Sequence, residues 1–69
     1  MKIDEVKIYL DNEINRLSLI GINKLYANDI DICEENIADI LTKYYNSKQI
    51  SIEVKKCIVQ NNWDLMLWW

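Results

Sequence analysis

The sequence predicts an all-α fold, a compact domain of three or four helices in which residues 1–69 form a single domain. Apolar residues recur at helical spacing over the first 20 residues and again between residues 30 and 46. The chain of 69 residues contains no proline and one glycine, so few positions interrupt a helix. Hydrophobic residues make up 51% of it, which favours a folded core over disorder.

The first predicted helix runs from Asp4 to Ile20, with Asp4 as its N-cap. Its apolar positions are spaced by three or four residues and form one stripe: Ile3, Val6, Leu10, Ile14 and Leu17. Gly21 follows where the stripe ends. Glycine adopts, without steric cost, the left-handed conformation that commonly ends a helix. Ile22 would then contact Leu17, as in a Schellman ending.

A smaller apolar face lies opposite that stripe, at Ile8 and Leu19. Isolated apolar residues on a protein surface are normal. The alternative is a second contact face, used against the C-terminal segment or against another subunit. In the latter case the protein would be a structural homo-oligomer or a homodimer.

The central predicted helix spans Asp31–Asn46, after a short segment, residues 23–29, that we expect to form one helical turn or a compact connector. Asp31 is a suitable N-cap, and Glu34 lies three residues further on, as in a capping box. The apolar positions share one face of this helix: Ile30, Cys33, Ile37, Ile40, Leu41, Tyr44 and Tyr45.

Three acidic residues, Asp31, Glu35 and Asp39, are spaced by four and therefore align along the outer face of that helix. They fit a solvated helix face, a surface that binds a basic partner, or a divalent-cation site. The cation site is disfavoured, because the segment lacks the glycine and the terminal glutamate of an EF-hand loop. We take the three residues as candidate partner-binding residues.

Residues 49–61 fit two structures. Ile50, Ile52 and Val54 alternate with polar residues, which is typical of a strand. The segment as a whole also fits a helix with Ser51 as a possible cap. The shared face of that helix consists of Ile50, Val54, Cys57, Ile58 and Asn61. We predict a helix, because a strand would need a partner and no other segment has a convincing strand pattern.

The segment from residue 63 to residue 69 is apolar except for one aspartate. As a helix it would be buried on several sides, and as a strand it would place Trp63, Leu65, Leu67 and Trp69 on one face. The C-terminal segment 49–69 could therefore contain a short strand instead. Its tryptophans either close the core or bind a partner, and Trp68 and Trp69 are the candidate anchors.

Composition excludes several kinds of chemistry. The chain has no histidine and two cysteines, so it cannot supply four zinc ligands of the usual kinds or a histidine-based catalytic group. One glycine cannot build a phosphate-binding loop. We expect no metal, no cofactor and no enzymatic activity. We read Cys33 and Cys57 as buried free thiols of a cytoplasmic protein, and no segment is apolar for long enough to span a membrane.

The charge is acidic and uneven. The net charge is −3: residues 1–39 carry nine acids and four bases, and residues 40–69 carry two acids and four bases. Acidic character makes nucleic acid an improbable partner and favours a basic one. A helix-turn-helix regulator, formed by residues 37–46 and 51–61, is an alternative, although the second helix carries no arginine to read bases.

These observations predict a small acidic module for protein–protein interaction, without catalytic activity. An inhibitor, antitoxin, immunity or anti-defence protein that blocks a basic surface of another protein fits them best. The abundance of Ile, Asn, Lys and Tyr, which have AT-rich codons, indicates an origin in an AT-rich genome or a mobile element.

Overall fold

A computed structural model describes residues 2–32, 36–57 and 62–69 of the protein. They form two helices and a three-stranded antiparallel sheet, so the predicted all-α helical bundle is wrong. In chain order the elements are α1 (Ile3–Leu19), β1 (Lys24–Ile30), α2 (Ile37–Asn46), β2 (Ser51–Cys57) and β3 (Asn62–Trp68).

The sheet has the order β1-β3-β2, so the last strand in the sequence is the central one. β1 and β2 each pair antiparallel with β3, and the β1–α2–β2 connection therefore leaves a gap of one strand that β3 fills. Leu67 lies between Leu25 and Ile52 in this register, and Leu65 lies between Ala27 and Val54. These side chains form one apolar face, because alternate residues of a strand point to the same side.

Both helices cover that apolar face, and the molecule has two layers. α1 packs mainly against β1, and α2 packs against β2. Together they form one buried cluster, which consists of Ile3, Val6, Leu10, Ile14, Leu25, Ala27, Ile32, Ile37, Leu41, Tyr45, Leu65 and Leu67. The stripe predicted for the first helix supplies four of these residues, which confirms its orientation. A sheet with one apolar face needs such a cover to be stable in water.

The ending predicted for α1 is confirmed. Gly21 has φ 81°, and its N–H donates to the carbonyl of Ser18 at 3.1 Å. The N–H of Ile22 donates to the carbonyl of Leu17 at 2.9 Å. These two bonds define a Schellman motif. The predicted start was nearly right: α1 begins at Ile3 rather than after an Asp4 cap.

The predicted central helix is shorter than expected at its start. α2 begins at Ile37 rather than at Asp31, and it ends at Asn46 as predicted. Asp31 is not its N-cap, because β1 continues to Ile30, and Ile32 lies in the core. From Ile37 onwards, the residues predicted for the apolar face of this helix are buried or half-buried. Cys33, Glu34 and Glu35 lie outside the described residues.

β1 was not predicted, and it contains a bulge. The register shifts between Ala27 and Ile30, and Asp29 has φ 59°. Aspartate tolerates this left-handed conformation better than most residues. The Asp29 N–H donates to Oδ1 of Asp64 on β3 at 3.1 Å, so the one acidic residue of the apolar C-terminal segment holds the bulge in place.

The helix predicted over residues 51–61 is wrong for the part that the structure describes. Residues Ser51–Cys57 form β2, each paired with a residue of β3. The second helix of the helix-turn-helix alternative is therefore a strand over these seven residues. The strand alternative for the C-terminal segment 49–69 is the correct one, because β1 and β3 supply the partners that the sequence pattern did not reveal.

Candidate protein-binding surface

The second face of the sheet carries no helix among the described elements. Alternation along the three strands places polar and aromatic side chains there. From one end to the other, its cross-strand rows are Lys24, Trp68 and Ser51, then Tyr26, Met66 and Glu53. Asp64 and Lys55 form the next row. We call this surface the helix-free face.

Three large side chains form the centre of the helix-free face. Tyr26 is 60% exposed, Trp68 is 43% exposed, and Met66 between them is half-buried. Tyr26 lies directly opposite Met66 and diagonal to Trp68, so the three are neighbours across two strands. We call these three residues the sheet-face patch. Contiguous apolar groups on a surface mark interaction sites far more often than isolated ones do.

Charged residues of both signs surround the sheet-face patch. Lys24 and Glu53 are exposed at either side of it, on β1 and β2. Lys55 lies opposite Asp64 in the next row. The arrangement resembles a protein interface, in which an apolar centre is bordered by a polar rim.

Two shallow depressions border the sheet-face patch. A groove of about 230 Å³ runs past Tyr26 and Met66 toward Lys55. A second depression of about 530 Å³ lies at the end of the sheet, between the α1–β1 connection and the last two tryptophans. Ile22 lines it and extends the apolar surface around the edge of the sheet. Depressions of this kind receive the protruding side chains of a bound protein.

The acidic residues expected to align on one helix are not arranged in that way. Asp31 is exposed and follows β1, whereas Asp39 is exposed in the first turn of α2. No continuous helix aligns Asp31 with Asp39, because α2 begins at Ile37. Glu35 lies outside the described residues. Asp39 is therefore an acidic position on α2, and Asp31 is a separate one on the segment that follows β1.

The structure separates the two candidate tryptophan anchors. Trp68 points to the helix-free face, where it is exposed. Trp69 packs against the core instead, and its indole N–H donates to Oγ of Ser18 at 2.9 Å. The Trp69 backbone N–H also donates to the carbonyl of Asn23 at 3.0 Å. The core interpretation thus suits Trp69, and the partner-binding interpretation suits Trp68.

Sequence reasoning missed Tyr26 and Met66. Each lies next to a residue that is buried on the opposite side of the sheet, Leu25 before Tyr26 and Leu65 before Met66. This alternation was the available signal. It was not recognised in β1, because Ala27, Asn28 and Asp29 have low strand propensity.

A polar cluster joins the two helices. The Tyr44 hydroxyl donates to Oδ2 of Asp11 at 2.7 Å, and the Lys48 ammonium donates to the Tyr44 hydroxyl at 2.8 Å. The Tyr44 hydroxyl, and to a lesser extent Asp11, raise the pKa of Lys48. Lys7 lies 4.7 Å from the centre of the Tyr44 ring. Every member has a partner within the cluster, so the cluster fastens α2 and the residues after it to α1.

The buried Tyr45 makes the free energy of unfolding fall at alkaline pH. Burial, and then the nearby Asp11 carboxylate, raise the pKa of Tyr45 far above its ordinary value of 10.0. The folded protein therefore keeps this proton at pH values where the unfolded chain has lost it. The stabilisation is complete below pH 10 and is lost as the pH rises further, by about 1.4 kcal/mol per pH unit for one proton.

We expect Tyr45→Phe to remove this part of the alkaline slope and to change the free energy of unfolding at pH 7 by no more than about 1 kcal/mol. Urea denaturation between pH 7 and pH 11 measures both quantities. The control is Tyr9→Phe, a change at an exposed tyrosine of α1. An alkaline slope that is the same in Tyr45→Phe and the wild type would contradict the prediction.

Other kinds of site receive no support from the described part of the chain. Within residues 2–32, 36–57 and 62–69, no three His, Cys, Asp or Glu side chains are grouped closely enough to hold a metal ion. Cys57 is a free, half-buried thiol rather than a fully buried one, and Cys33 lies outside the described residues. Neither α1 nor α2 is long and apolar enough to cross a membrane.

Comparison with known proteins identifies no relative. The chain matches no family model, and it has no significant similarity to a curated protein or to a solved structure. The assignment of function therefore depends on the helix-free face and on the charge of the chain.

Proposed function

We propose that this protein is a non-catalytic module that binds another protein through its helix-free face. The sheet-face patch is the observation that supports this proposal. A tryptophan, a tyrosine and a methionine lie together on the sheet, on the face opposite to the buried cluster. Tryptophan and tyrosine are enriched at interface positions that contribute most to affinity.

Rigidity of the patch favours binding. Trp68 and Met66 belong to the central strand, which is hydrogen-bonded on both sides. Tyr26 is paired with Met66 across β1 and β3. Little conformational entropy is lost when such side chains bind, because their backbone is already fixed. A binding surface on a sheet therefore reaches a given affinity with fewer contacts than one on a loop.

The proposed partner is a protein with a basic surface. The net charge of −3 steers basic partners toward the molecule, and Asp31 and Asp39 are exposed to contribute to that field. The rim of the helix-free face contains two acids, Glu53 and Asp64, beside two bases, Lys24 and Lys55. These mixed charges would fix the orientation of a bound partner, whereas the net charge of the chain would attract it. A protein of this size would act by covering the partner's surface, as an inhibitor, antitoxin, immunity or anti-defence protein does. We place it in the cytoplasm, where a free thiol stays reduced.

The test is a comparison of Trp68→Ala with Tyr9→Ala. Both aromatic residues are 43% exposed, but Tyr9 lies on α1, away from the helix-free face. Affinity capture from cells of the source organism identifies the binding protein, and calorimetry with that purified protein gives the dissociation constant. We expect Trp68→Ala to weaken binding by roughly 30-fold or more, as a central interface tryptophan does. Tyr9→Ala should leave binding unchanged.

A second pair strengthens the comparison. Tyr26→Ala should also weaken binding, whereas Ile8→Ala removes an apolar residue of similar exposure, 63% against 60%, from the other side of the molecule. Thermal melting of all four variants verifies that they fold. Equal losses in the patch variants and the α1 variants would contradict the proposed surface. Association that does not slow with added salt would contradict the basic partner.

A further inference from the structure

β2 is an open edge of the sheet. Among the described elements it pairs only with β3, so the backbone groups on its other side are not used in the sheet. Its seven residues are in continuous register with β3, with no bulge. β1, the other edge, is interrupted by the bulge near Asp29. Bulges hinder pairing with another strand, so β2 is the edge that is suited to accept one.

The sequence of β2 is complementary to itself. Its centre reads Glu53, Val54, Lys55. If a second copy of β2 runs antiparallel beside the first, with a two-fold axis at Val54, each Val54 faces the Val54 of the second copy. Glu53 then faces Lys55 of the second copy, and Lys55 faces its Glu53. A two-fold interface requires such self-complementarity, because both copies contribute the same surface.

Charge selects this register over its neighbours. Moving the axis by one residue places Glu53 opposite Glu53, or Lys55 opposite Lys55. Like charges directly opposite each other destabilise an antiparallel pair, whereas opposite charges stabilise it. In the described structure neither Glu53 nor Lys55 has an ion-pair partner within 4.0 Å. Both side chains are exposed and free to pair across the edge.

Lys56 does not obstruct the edge. Lysine on an edge strand commonly prevents pairing with another chain. The ammonium of Lys56 lies 5.5 Å from the centre of the Trp63 ring on β3, so this side chain is directed back over the sheet. The cation–π contact favours this position of the ammonium group.

We propose that β2 pairs with β2 of a second copy, to give a dimer with a continuous six-stranded sheet. A two-fold axis perpendicular to the sheet leaves both helical layers on one side and both helix-free faces on the other. The dimer would therefore present two sheet-face patches on the same side. The proposal uses the edge of the sheet and does not depend on the function proposed for its face.

Sedimentation velocity across a range of protein concentrations tests the dimer. The wild type should show a dimer that dissociates on dilution. Glu53→Lys and Lys55→Glu should each raise the dimer dissociation constant by about tenfold or more, because two attractive pairs become repulsive. The double variant E53K/K55E should restore the dimer. Lys24→Glu changes a charge on the same face but at the other edge, and it should have no effect.

Cross-linking tests the register. In a background with Cys33→Ser and Cys57→Ser, V54C should form a disulfide-linked dimer under mild oxidation, because the two positions face each other at a distance that a disulfide spans. E53C, the control, should not, because the axis at Val54 moves the two copies of position 53 apart. Thermal melting verifies that each variant is folded.

Three results would overturn the proposal: a monomer at all concentrations, a dimer that ignores both single charge reversals, or a cross-link at position 53 in preference to position 54. A dimer that Trp68→Ala dissociates and Glu53→Lys does not would place the second copy on the helix-free face. That result would reject the edge interface and would also replace the proposed partner protein with a second copy. Partner binding that Trp68→Ala leaves unchanged, in a protein that still dimerises through β2, would reject the proposed function alone.

Discussion

We expect Leu67→Ala to have the largest effect of any single truncation considered for this protein. Leu67 is 0% exposed and lies on the central strand between Leu25 and Ile52. Removing a fully buried leucine side chain lowers the free energy of unfolding by about 3 to 5 kcal/mol, through lost burial and the cavity left behind. A domain of 69 residues has roughly 3 to 10 kcal/mol in total. The variant should therefore be marginally folded or unfolded at 25 °C.

Met66→Ala is the matched control. Met66 precedes Leu67 on the same strand and points to the opposite, helix-free face. We expect it to cost about 1 kcal/mol or less, because its side chain is only half-buried. Urea denaturation followed by circular dichroism gives both values. Similar losses at the two positions would contradict a strand with one buried face, and would indicate a segment that is buried all round.

The second large effect concerns Trp69. Truncation to alanine removes an aromatic ring that packs on the core and the indole donor to Ser18. We expect Trp69→Ala to lower the free energy of unfolding by about 2 to 3 kcal/mol, less than a fully buried tryptophan would, because the ring is only partly buried. Trp68→Ala, at the exposed neighbour, should cost no more than about 1 kcal/mol.

Two further variants separate the contributions of Trp69. Trp69→Phe keeps most of the apolar contact but loses the donor, so it should cost about 1 kcal/mol. Ser18→Ala removes the acceptor and should cost a similar amount. Denaturant unfolding of these four variants provides the comparison. If Trp68→Ala destabilises the protein as strongly as Trp69→Ala, the assignment of one tryptophan to the core and the other to the surface is wrong.

The helices could be predicted from the sequence because their signals are local. The apolar stripe of α1 and the glycine that ends it lie within one continuous segment, and Gly21 has the expected conformation. The whole of α2, which lies within the predicted helix Asp31–Asn46, was predicted for the same reason. Its start was misplaced because Ile30 and Cys33 continue the helical spacing in the sequence. In the structure Ile30 ends a strand, and Ile32, which is off the predicted apolar face, lies in the core.

The sheet could not be predicted because its determinants are not local. β3 follows β1 by more than 30 residues, whereas β2 and β3 are neighbours in the chain and need β1 to complete a stable three-stranded sheet. A strand without its partners has little intrinsic preference to form. Ile50 and Val54 satisfy both strand and helix periods over so short a stretch. A strand at residues 51–57 needs partner strands, and the Ala27-Asn28-Asp29 sequence of β1 obscures the alternation that would indicate one.

The candidate site was predicted in part. Trp68 could be named from the sequence, because tryptophan is enriched at the interface positions that contribute most to affinity. Its neighbours Tyr26 and Met66 could not, since only the register of β1 with β3 brings them together. The alignment of the acidic residues was predicted from a helix over Asp31–Asn46, but α2 begins only at Ile37.

The two proposed surfaces are separable on the molecule. The centre of one is the sheet-face patch on β1 and β3, and the other is the outer edge of β2; the two adjoin at Glu53 and Lys55. A dimer formed at that edge would carry two partner-binding patches on one side, and a partner with repeated or symmetric sites would then bind both. Linking two sites in this way increases the apparent affinity without any new contact.

The position of β3 in the sequence has a consequence for synthesis of the protein. The ribosome completes β1 and β2 before it makes the strand that joins them. During that interval the described strands have no neighbour to satisfy their backbone groups, and the apolar sides of Leu25 and Val54 lack their cover from β3. Unpaired strands of this kind aggregate readily. The sheet therefore forms only after residues Asn62–Trp68 have been translated.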